Sequence, residues 1–467
     1  MRQTKIVATL GPVSDSLENL EKLVDAGANV FRLNFSHGTH ESHGRVIDRI
    51  RKISKKLGRE FPIILDTKGP EIRTADLKKP IVWKKNSKII LTVEHAPYEK
   101  SGKIQINYDA FVSDVLVGDK IIVDNGSMEL EVLEKKESDV ICKVLSGGTL
   151  GSRRHLNLPG KNVSLDSITK KDWVDIEFGV KKKVDFIALS FVRSAVDVES
   201  VKNFLKKKKS QIDVMAKIET AEAVRNLEEI ISASHEVMVA RGDLGVEIPF
   251  FKVPQTQRDI VRLCAKYQKS VIVATHMLES MIDHPIPTRA EISDVAAAAF
   301  QRADATMLSG ETAIGKFPFK SVRAMGEIAH ETEKNFMQSR EIRDLQAFSD
   351  RGGLSKIVAQ LPEELADIAA ILVVSGSGST ARLVSSFRPR VPIFSFTNCV
   401  HSQRKMQLLW GVDAMHIRFS NQPEKTVDAA RKALLKKYPD FVGEKIVLIS
   451  GFLVGKGFCP TVQIRKL

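Results

Sequence analysis

Eight short apolar runs recur along the chain, at residues 6–10, 30–33, 63–65, 186–189, 214–218, 237–240, 271–275 and 305–308. Each is too short for a helix and too continuously apolar for a strand with one wet face. That is the pattern of parallel strands covered on both sides. Helical periodicity fills the gaps between them, over residues 17–26, 40–57, 195–209, 221–233, 253–267 and 288–301. Repeated strand–helix units predict a parallel sheet, and eight of them predict a closed (β/α)8 TIM barrel. Chemistry in such barrels sits at the C-terminal strand ends, which is where the polar and charged residues fall in this chain.

One connection breaks the rhythm. The stretch between Leu65 and Phe186 is far longer than an ordinary strand-to-helix loop. Residues 88–94, 103–108, 120–123, 129–133 and 140–145 alternate or run apolar, and Asp124-Asn125-Gly126 is a hairpin-turn signal. A small inserted β-barrel domain over residues 70–159 is therefore expected above the barrel mouth, in the position of a lid. A helix over residues 167–180 then returns the chain, so the barrel takes residues 1–69 and 160–340. A last barrel helix is expected near residues 321–339. Strands are expected at residues 371–374, 391–396, 414–419 and 445–449, with helices between them. They predict an open α/β domain over residues 341–467.

Composition narrows the class. The chain has 467 residues, 43% hydrophobic and 27% charged, which is ordinary for a soluble protein with several cores. No apolar stretch approaches the roughly 18–20 residues needed to span a bilayer, so no membrane partner is expected. The N-terminal residues run straight into a strand, leaving no room for a leader. The formal net charge is +14, but aromatic residues are only 6% and do not interleave with the basic runs. Nucleic acid is not the expected partner; steering of small anions is. Cys142, Cys264, Cys399 and Cys459 are widely spaced with no CxxC pair, which suggests neither a zinc site nor a disulfide framework and fits a reducing, cytoplasmic setting.

The strand ends carry the candidate chemistry. In Val214-Met215-Ala216-Lys217-Ile218-Glu219-Thr220, Lys217 and Glu219 share a strand face, setting a cation beside a carboxylate. The pair could hold a metal and neutralise a transferring group, or be a half-buried ion pair; these residues alone leave both open. Arg32, Asn34 and Ser36 recur at period two and share a face if the strand continues. Arginine suits phosphate or carboxylate, and the Asn and Ser oxygens suit a hard cation. Asp66 and Thr67 offer further oxygens, Arg73 a second cation, and Gly69-Pro70 a turn where the lid departs. Asp243 follows a strand between Gly242 and Gly245, which allow close backbone approach. Asp243 with Glu219 would make a two-carboxylate magnesium site completed by substrate oxygens and water. Thr275 and His276 end another strand; the role of the imidazole stays open.

In order at these strand ends stand NFSHG, DTKGPEIR, KIET, MVARGDLG, ATHMLESM, PTRAE and MLSGET. Together they resemble the pyruvate kinase family closely, over nearly the whole chain. The run Ser152-Arg153-Arg154-His155-Leu156-Asn157 looks closest to the bacterial and plastid-type branch, although no transit segment or extra C-terminal domain is read in this chain. The resemblance implies an enzyme of the final step of glycolysis, transferring the phosphoryl group of phosphoenolpyruvate to ADP to give pyruvate and ATP. It implies magnesium or manganese on Glu219 and Asp243, and potassium on Asn34, Ser36, Asp66 and Thr67. Arg32 would grip the transferring phosphate and Lys217 would stabilise it. Gly242, Asp243 and Thr275 would border the substrate, with Thr275 in the path of a proton to the enolate. Asn34, Arg73 and Arg154 would face the nucleotide. Glu71 accompanies potassium dependence in the family. A homotetramer and an allosteric, phosphorylated effector held by Ser375, Gly376, Ser377, Gly378, Ser379 and Thr380 are also implied, with Arg382 or Lys456 as a source of charge.

Departures from the pattern are Arg154, where lysine is common, His276, where Gln or Asn is common, and an effector loop without its basic residue. Two rival readings stand beside this one. A magnesium-dependent barrel aldolase or mutase would share the two carboxylates but would not need Lys217, the potassium oxygens and the lid together. A non-enzymatic anion or nucleic-acid binder would use the charge and leave the strand-end motifs unexplained.

Overall fold

The computed structural model describes residues 1–95, 97–124, 126–161, 163–334, 349–454 and 457–467. The strands β1 (Lys5–Thr9), β2 (Val30–Asn34) and β3 (Ile63–Asp66) begin a barrel. The chain then leaves it for β4 (Ile72–Arg73), β5 (Ile81–Trp83), β6 (Lys88–Thr92), β7 (Ile104–Gln105), β8 (Lys120–Val123), β9 (Met128–Lys135), β10 (Asp139–Ser146), β11 (Gly148–Leu150) and β12 (His155–Asn157). It returns for β13 (Phe186–Leu189), β14 (Asp213–Ile218), β15 (Glu236–Ala240), β16 (Ser270–Ala274) and β17 (Ala305–Leu308). The eight barrel strands close in the order β1-β17-β16-β15-β14-β13-β3-β2, every pair parallel. The apolar runs are the reason: all five residues of β1, β15 and β16 are buried, as strands covered by helices outside and side chains inside must be.

Helices start and stop where local chemistry dictates. Ser16, Thr39, Thr169 and Thr288 cap the helices that follow them, and Gly27 and Gly58 end two of them in left-handed conformation. One expected helix is broken. Residues 221–233 form two, Ala221–Arg225 and Leu227–Ala233, because Asn226 leaves helical geometry (ψ 22°) and its amide donates to the Arg193 carbonyl at 2.9 Å.

The insert packs round its own core of Leu91, Phe111, Ile121, Leu130 and Val140, all fully buried. Its main sheet has seven strands in the order β4-β12-β8-β9-β10-β6-β7, and a Thr74–Ile106 bridge joins the two outer strands into a small barrel. Here β4, β5, β11 and β12 are additions to the expected strands; each is two or three residues long, too short to show alternation. Asn125 of the expected hairpin turn lies outside the described residues.

The C-terminal sheet runs β20 (Val412–His416), β19 (Ile393–Thr397), β18 (Ile368–Val374), β21 (Lys445–Val454), β22 (Gly457–Lys466). Its first four strands are parallel, and β22 returns antiparallel to β21, which sequence periodicity did not reveal. The last barrel helix is described over Pro318–Lys334. The expected boundary near residue 341, the end of that helix and Lys456 lie outside the described residues.

This domain seats against the N-terminal ends of the barrel strands. Leu408 joins the apolar cluster of the barrel interior with Val7, Ile64, Met215 and Ile272. Round it, acids at or just before the starts of β13, β14, β15 and β17 meet cations of the domain: Asp185 with Arg404 at 2.6 Å, Asp213 with Lys405 at 2.8 Å, Glu236 with Arg382 at 2.5 Å and Asp304 with Arg388 at 2.7 Å. Asp304 also accepts from the amides of Val271 and Trp410, each at 3.0 Å. Removing one partner of such a buried pair strands the other's charge, at a cost of roughly 3–5 kcal/mol. Arg388→Ala is expected to lower the urea midpoint by a corresponding amount. A change below about 1 kcal/mol would mean that Asp304 is satisfied without it.

Candidate active site

Four barrel strands deliver the central cluster at their C-terminal ends. Arg32 and Asn34 lie on β2, with Asn34 opposite Asp66 of β3 in register. Lys217 lies on β14 and Glu219 follows one residue past its end. Arg32 Nε meets Asp66 Oδ2 at 2.6 Å, and Lys217 Nζ meets Asp66 Oδ1 at 3.1 Å and Glu219 Oε1 at 2.7 Å. Asp66 and Glu219 are essentially inaccessible, while Arg32 and Lys217 keep 8% exposure, so the cations are the members that reach the mouth.

Burial sets the electrostatics. It would lower the Lys217 pKa, but Asp66 and Glu219 overcome it and hold Lys217 above the ordinary lysine value. Burial would raise Asp66, but Arg32 and Lys217 hold it below the usual carboxylate range. Glu219 goes the other way. Burial and the nearby Asp243 charge push it up to about 7 despite Lys217. Its Oε2 accepts from the Phe191 amide at 2.7 Å, whereas Oε1 touches Lys217 without hydrogen-bond geometry. This is a carboxylate short of positive charge.

Two residues of this cluster were not picked from the sequence. Ser190 Oγ stands 2.7 Å from Lys217 Nζ, 2.7 Å from the Thr67 carbonyl and 3.3 Å from Asp66, tying three strand ends together. Phe191 supplies the amide for Glu219. Both follow the apolar run at residues 186–189, so the strand-end rule applied to this run would have found them. The hinge packs against them. A Cβ on Gly69, at φ +71°, would come within 2.8 Å of the Phe191 ring and 2.9 Å of Ser190 Cβ, so this turn needs glycine.

Asp243 sits in the first turn of the helix Arg241–Glu247 rather than in a loop after the strand. Across the mouth, Thr275 and His276 are left-handed, at φ +66° and +53°. That is costly for a β-branched residue, and such strain persists only where neighbours impose it. Arg241 imposes it: its guanidinium donates to the Thr275 carbonyl at 2.7 Å and the His276 carbonyl at 3.3 Å, anchored by Asp294 at 2.7 Å. Thr275 Oγ1 accepts from the Gly242 amide at 2.7 Å and donates to the Ala274 carbonyl at 2.6 Å. A Cβ on Gly242 would meet Thr275 and His276 only at 3.5 Å, so protein packing does not require glycine there.

Ser36 departs from the expected strand face. The strand ends at Asn34, and Ser36 lies in the following turn, its amide held by Asn34 Oδ1 at 3.1 Å. Both Asp66 oxygens are engaged by cations, and the Thr67 hydroxyl accepts from the Ser190 amide at 3.1 Å. Asn34 stands opposite Asp66 in register, while Ser36 and Thr67 follow them along the chain, and each is engaged by the internal contacts just given. Among the described residues no group of three or more His, Cys, Asp and Glu is arranged to hold a metal. The Glu219–Asp243 pair alone would need oxygens from elsewhere.

Arg73 is clamped bidentately by Glu71, at 2.8 and 2.9 Å, and bonds the Arg153 carbonyl at 2.7 Å. Glu71 also faces Lys68 at 3.3 Å. Arg154 is largely exposed and leans on Asp124 of the insert at 3.3 Å rather than on the barrel cluster. Beside Arg32 and Asn34 opens a cavity of about 710 Å³, walled mainly by Pro12, His37, Gly38, His43 and Val46. Its apolar walls gave no periodic signal.

In the C-terminal domain, Ser377 donates to Ser379 at 3.0 Å, and the Gly378 amide donates to Ser375 at 3.2 Å. The basic residue missing from the loop comes from elsewhere: Arg351 donates to Ser379 at 3.1 Å. Arg382 does not serve the loop. It turns to the barrel, where Glu236 at 2.5 Å and Ser270 at 3.1 Å claim it, because the buried Glu236 carboxylate needs the charge.

Residues 1–322 match the family described as Pyruvate kinase, barrel domain, and residues 354–465 match Pyruvate kinase, alpha/beta domain. The chain is 44% identical over 451 residues to pyruvate kinase isozyme G, chloroplastic, of Nicotiana tabacum, covering 96% of this chain and 80% of the relative. It is 42% identical over 469 residues to the pyruvate kinase of Geobacillus stearothermophilus, covering 97% of this chain and 78% of that one. The pyruvate kinase of Staphylococcus aureus strain MRSA252 is 41% identical over 472 residues, covering 100% of this chain and 80% of its own length. No helix among the described residues is long and apolar enough to cross a membrane.

Proposed function

The chain belongs to the pyruvate kinase family, transferring the phosphoryl group of phosphoenolpyruvate to ADP, and on that premise we propose which of its residues do the work. The observation that carries the assignment is Lys217, a charged ammonium pinned by Asp66, Glu219 and Ser190 at the mouth beside Arg32. Phosphoryl transfer passes through a loose transition state, so catalysis is positioning and charge neutralisation. Arg32 and Lys217 supply fixed positive charge where charge shifts, with no reorganisation at the moment of reaction. Thr275 serves the enolate. Its hydroxyl proton rests on the Ala274 carbonyl, so it reaches a substrate carbon only by turning away from Ala274, while the Gly242 amide keeps the oxygen in place.

Magnesium fits Glu219 and Asp243. Two neighbouring carboxylates with one pushed up to about 7 are relieved by a divalent cation. A divalent ion held by Glu219 and Asp243 would polarise substrate oxygens. Potassium is assigned to the oxygens of Asn34, Ser36, Asp66 and Thr67, which lie at or just past the ends of β2 and β3. The cavity beside Arg32 and Asn34 is the proper size for the nucleoside of ADP, and Arg73 and Arg154, held in this structure by Glu71 and Asp124, are assigned to the nucleotide side. The loop at Ser375–Thr380, whose hydroxyls and backbone amides suit an anion, takes the phosphate of an effector together with Arg351. We assign a homotetramer and a cytoplasmic setting, the latter suited to its nucleotide substrates and to Cys142 and Cys264, buried as free thiols.

A lactate dehydrogenase-coupled assay with phosphoenolpyruvate and ADP tests the whole reading. Turnover that needs both substrates and magnesium supports it; an aldolase or mutase would yield no ATP. Potassium is expected to activate and lithium to do so little. Glu71→Lys should lower that dependence, and because it also frees Arg73 it should change the KM for ADP. Full activity in potassium-free buffer would falsify the potassium assignment.

A further inference from the structure

Two linkers join the lid to the barrel, and both meet the same loop, the residues just after β13. Gly69, in the outgoing linker, packs against Ser190 and Phe191, and its amide donates to Asp172 of the helix Lys170–Lys182 at 3.1 Å. The returning linker meets Arg193. Arg193 Nη1 donates to the Val163 carbonyl at 2.6 Å, and Nε and Nη2 donate to the Ser167 hydroxyl at 3.0 and 2.7 Å. Nη2 also donates to the Leu165 carbonyl. The planar guanidinium therefore grips residues 163, 165 and 167 together, which an ammonium could not do with a fixed geometry.

Arg193 stands between two bodies. Its backbone belongs to the barrel: its amide donates to the Asp197 carboxylate at 2.9 Å, and its carbonyl accepts from the Asn226 side chain at 2.9 Å. The helix break at Asn226 serves this anchor. What the Arg193 side chain grips belongs to the lid. Val163 and Leu165 pack against the lid core. Between them the Ser164 amide donates to Asp114 and to the Tyr108 hydroxyl, both at 2.8 Å, and Lys161 pairs with Asp119 at 2.8 Å. The carbonyls of 163 and 165 thus turn to the barrel while their side chains turn to the lid. The joint is packed. The space bordered by Arg193, Asn157 and Glu247 is only about 60 Å³, and Asn157 donates to Glu247 at 3.1 Å. His155 of β12 sets its ring edge-on to Phe191, with centroids 6.0 Å apart.

We propose that Arg193 is a positioning residue for the nucleotide: its grip on residues 163–167 fixes the pivot of the lid, and with it the place of Arg73 and Arg154 over the barrel. The proposal rests on the assignment of Arg73 and Arg154 to the nucleotide side. A lid hung on two linkers is free to turn about both; the Arg193 fork on one and the seated Gly69 on the other remove that freedom before the nucleotide arrives. Without the fork the lid samples positions in which its arginines miss the nucleotide, and the apparent affinity falls with the fraction of lids correctly placed. Phosphoenolpyruvate is gripped by Arg32 and Lys217 on barrel strands, so its binding does not depend on the pivot. The loop itself stays in place when the Arg193 side chain is cut back, because Asp197 and Asn226 hold its backbone. Ser190 and Phe191 then keep their hold on Lys217 and Glu219. The mark of Arg193 is therefore a defect confined to ADP.

Steady-state turnover of the full chain, with ADP varied at saturating phosphoenolpyruvate and then the reverse, tests this in Arg193→Ala, Arg193→Lys and Ser167→Ala. Arg193→Ala should raise the KM for ADP by about tenfold or more, hold the KM for phosphoenolpyruvate within about twofold of wild type, and recover most of kcat at saturating ADP. Arg193→Lys keeps the charge and loses the fork, so its KM for ADP should lie between the two. Ser167→Ala removes the hydroxyl shared by Nε and Nη2 without touching the barrel, and should raise the KM for ADP by about threefold. An unchanged KM for ADP in Arg193→Ala, or in Ser167→Ala if the former does not fold, would overturn the proposal. So would equal rises in both KM values, which would place the damage in the catalytic loop. A fall in kcat with neither KM moved would also overturn it, since that is what a merely structural arginine gives. Arg154→Gln, measured alongside, judges the nucleotide assignment separately. If it leaves the KM for ADP unchanged, that assignment of Arg154 fails, while a KM raised for ADP alone in Arg193→Ala still upholds the pivot.

Discussion

Lys217→Met should cut phosphoryl transfer from phosphoenolpyruvate to ADP by at least roughly 10²–10³-fold, the effect of deleting one preorganised electrostatic group. The true loss should exceed that range, because Lys217 carries a full charge in a buried setting and its partners are spent holding it. Asp66 and Glu219 both lie within 3.1 Å of the ammonium. Methionine keeps the stem and removes the charge, leaving two buried carboxylates with Arg32 as the nearest cation. Some stability will be lost as well. A second activity separates the two effects. Magnesium-dependent exchange of the methyl protons of pyruvate needs the carboxylates and Thr275 but transfers no phosphoryl group. It should fall far less than transfer does. Equal loss of both, in protein that still melts cooperatively, would sink the role given to Lys217.

What made the site legible in the sequence was geometry that repeats. A parallel strand alternates side chains and ends at a fixed face of the barrel, so Lys217 and Glu219 could be paired from spacing alone. The same rule reached Arg32, Asn34 and Asp66. It overreached at Ser36, where the strand had already ended and an Asn34–Ser36 turn took over. What stayed hidden was set by distant partners. Ser190 looks like any strand-end serine until Lys217 and Thr67 arrive from neighbouring strands. Arg241 reads as part of a glycine-rich motif, and only the left-handed pair Thr275–His276 shows what it holds. Arg351 takes the part expected of Arg382, because a buried glutamate in another domain claims Arg382. Local pattern determines the elements and the direction of their side chains; charge pairing between elements distant in sequence has no local signature.

Asp243→Asn and Glu219→Gln should each raise the magnesium needed for half-maximal activity by tenfold or more, since each removes one of two charged protein ligands from a site completed by substrate and water. The two should differ otherwise, for reasons visible in their contacts. Glu219 is buried, pairs with Lys217 at 2.7 Å and accepts the Phe191 amide at 2.7 Å. Its replacement disturbs the ammonium and the loop after β13 as well as the ion, so kcat should fall even at saturating magnesium. Asp243 is half-buried in the first turn of its helix and makes no comparable internal pair among the described residues. Its loss should be recovered largely by excess magnesium. Direct titration of manganese into each variant with phosphoenolpyruvate bound, followed by the electron spin resonance of the free ion, measures affinity without turnover. Wild-type manganese affinity in either variant would remove that residue from the metal site. Full recovery of kcat in Glu219→Gln by metal alone would mean that Glu219 does not position Lys217.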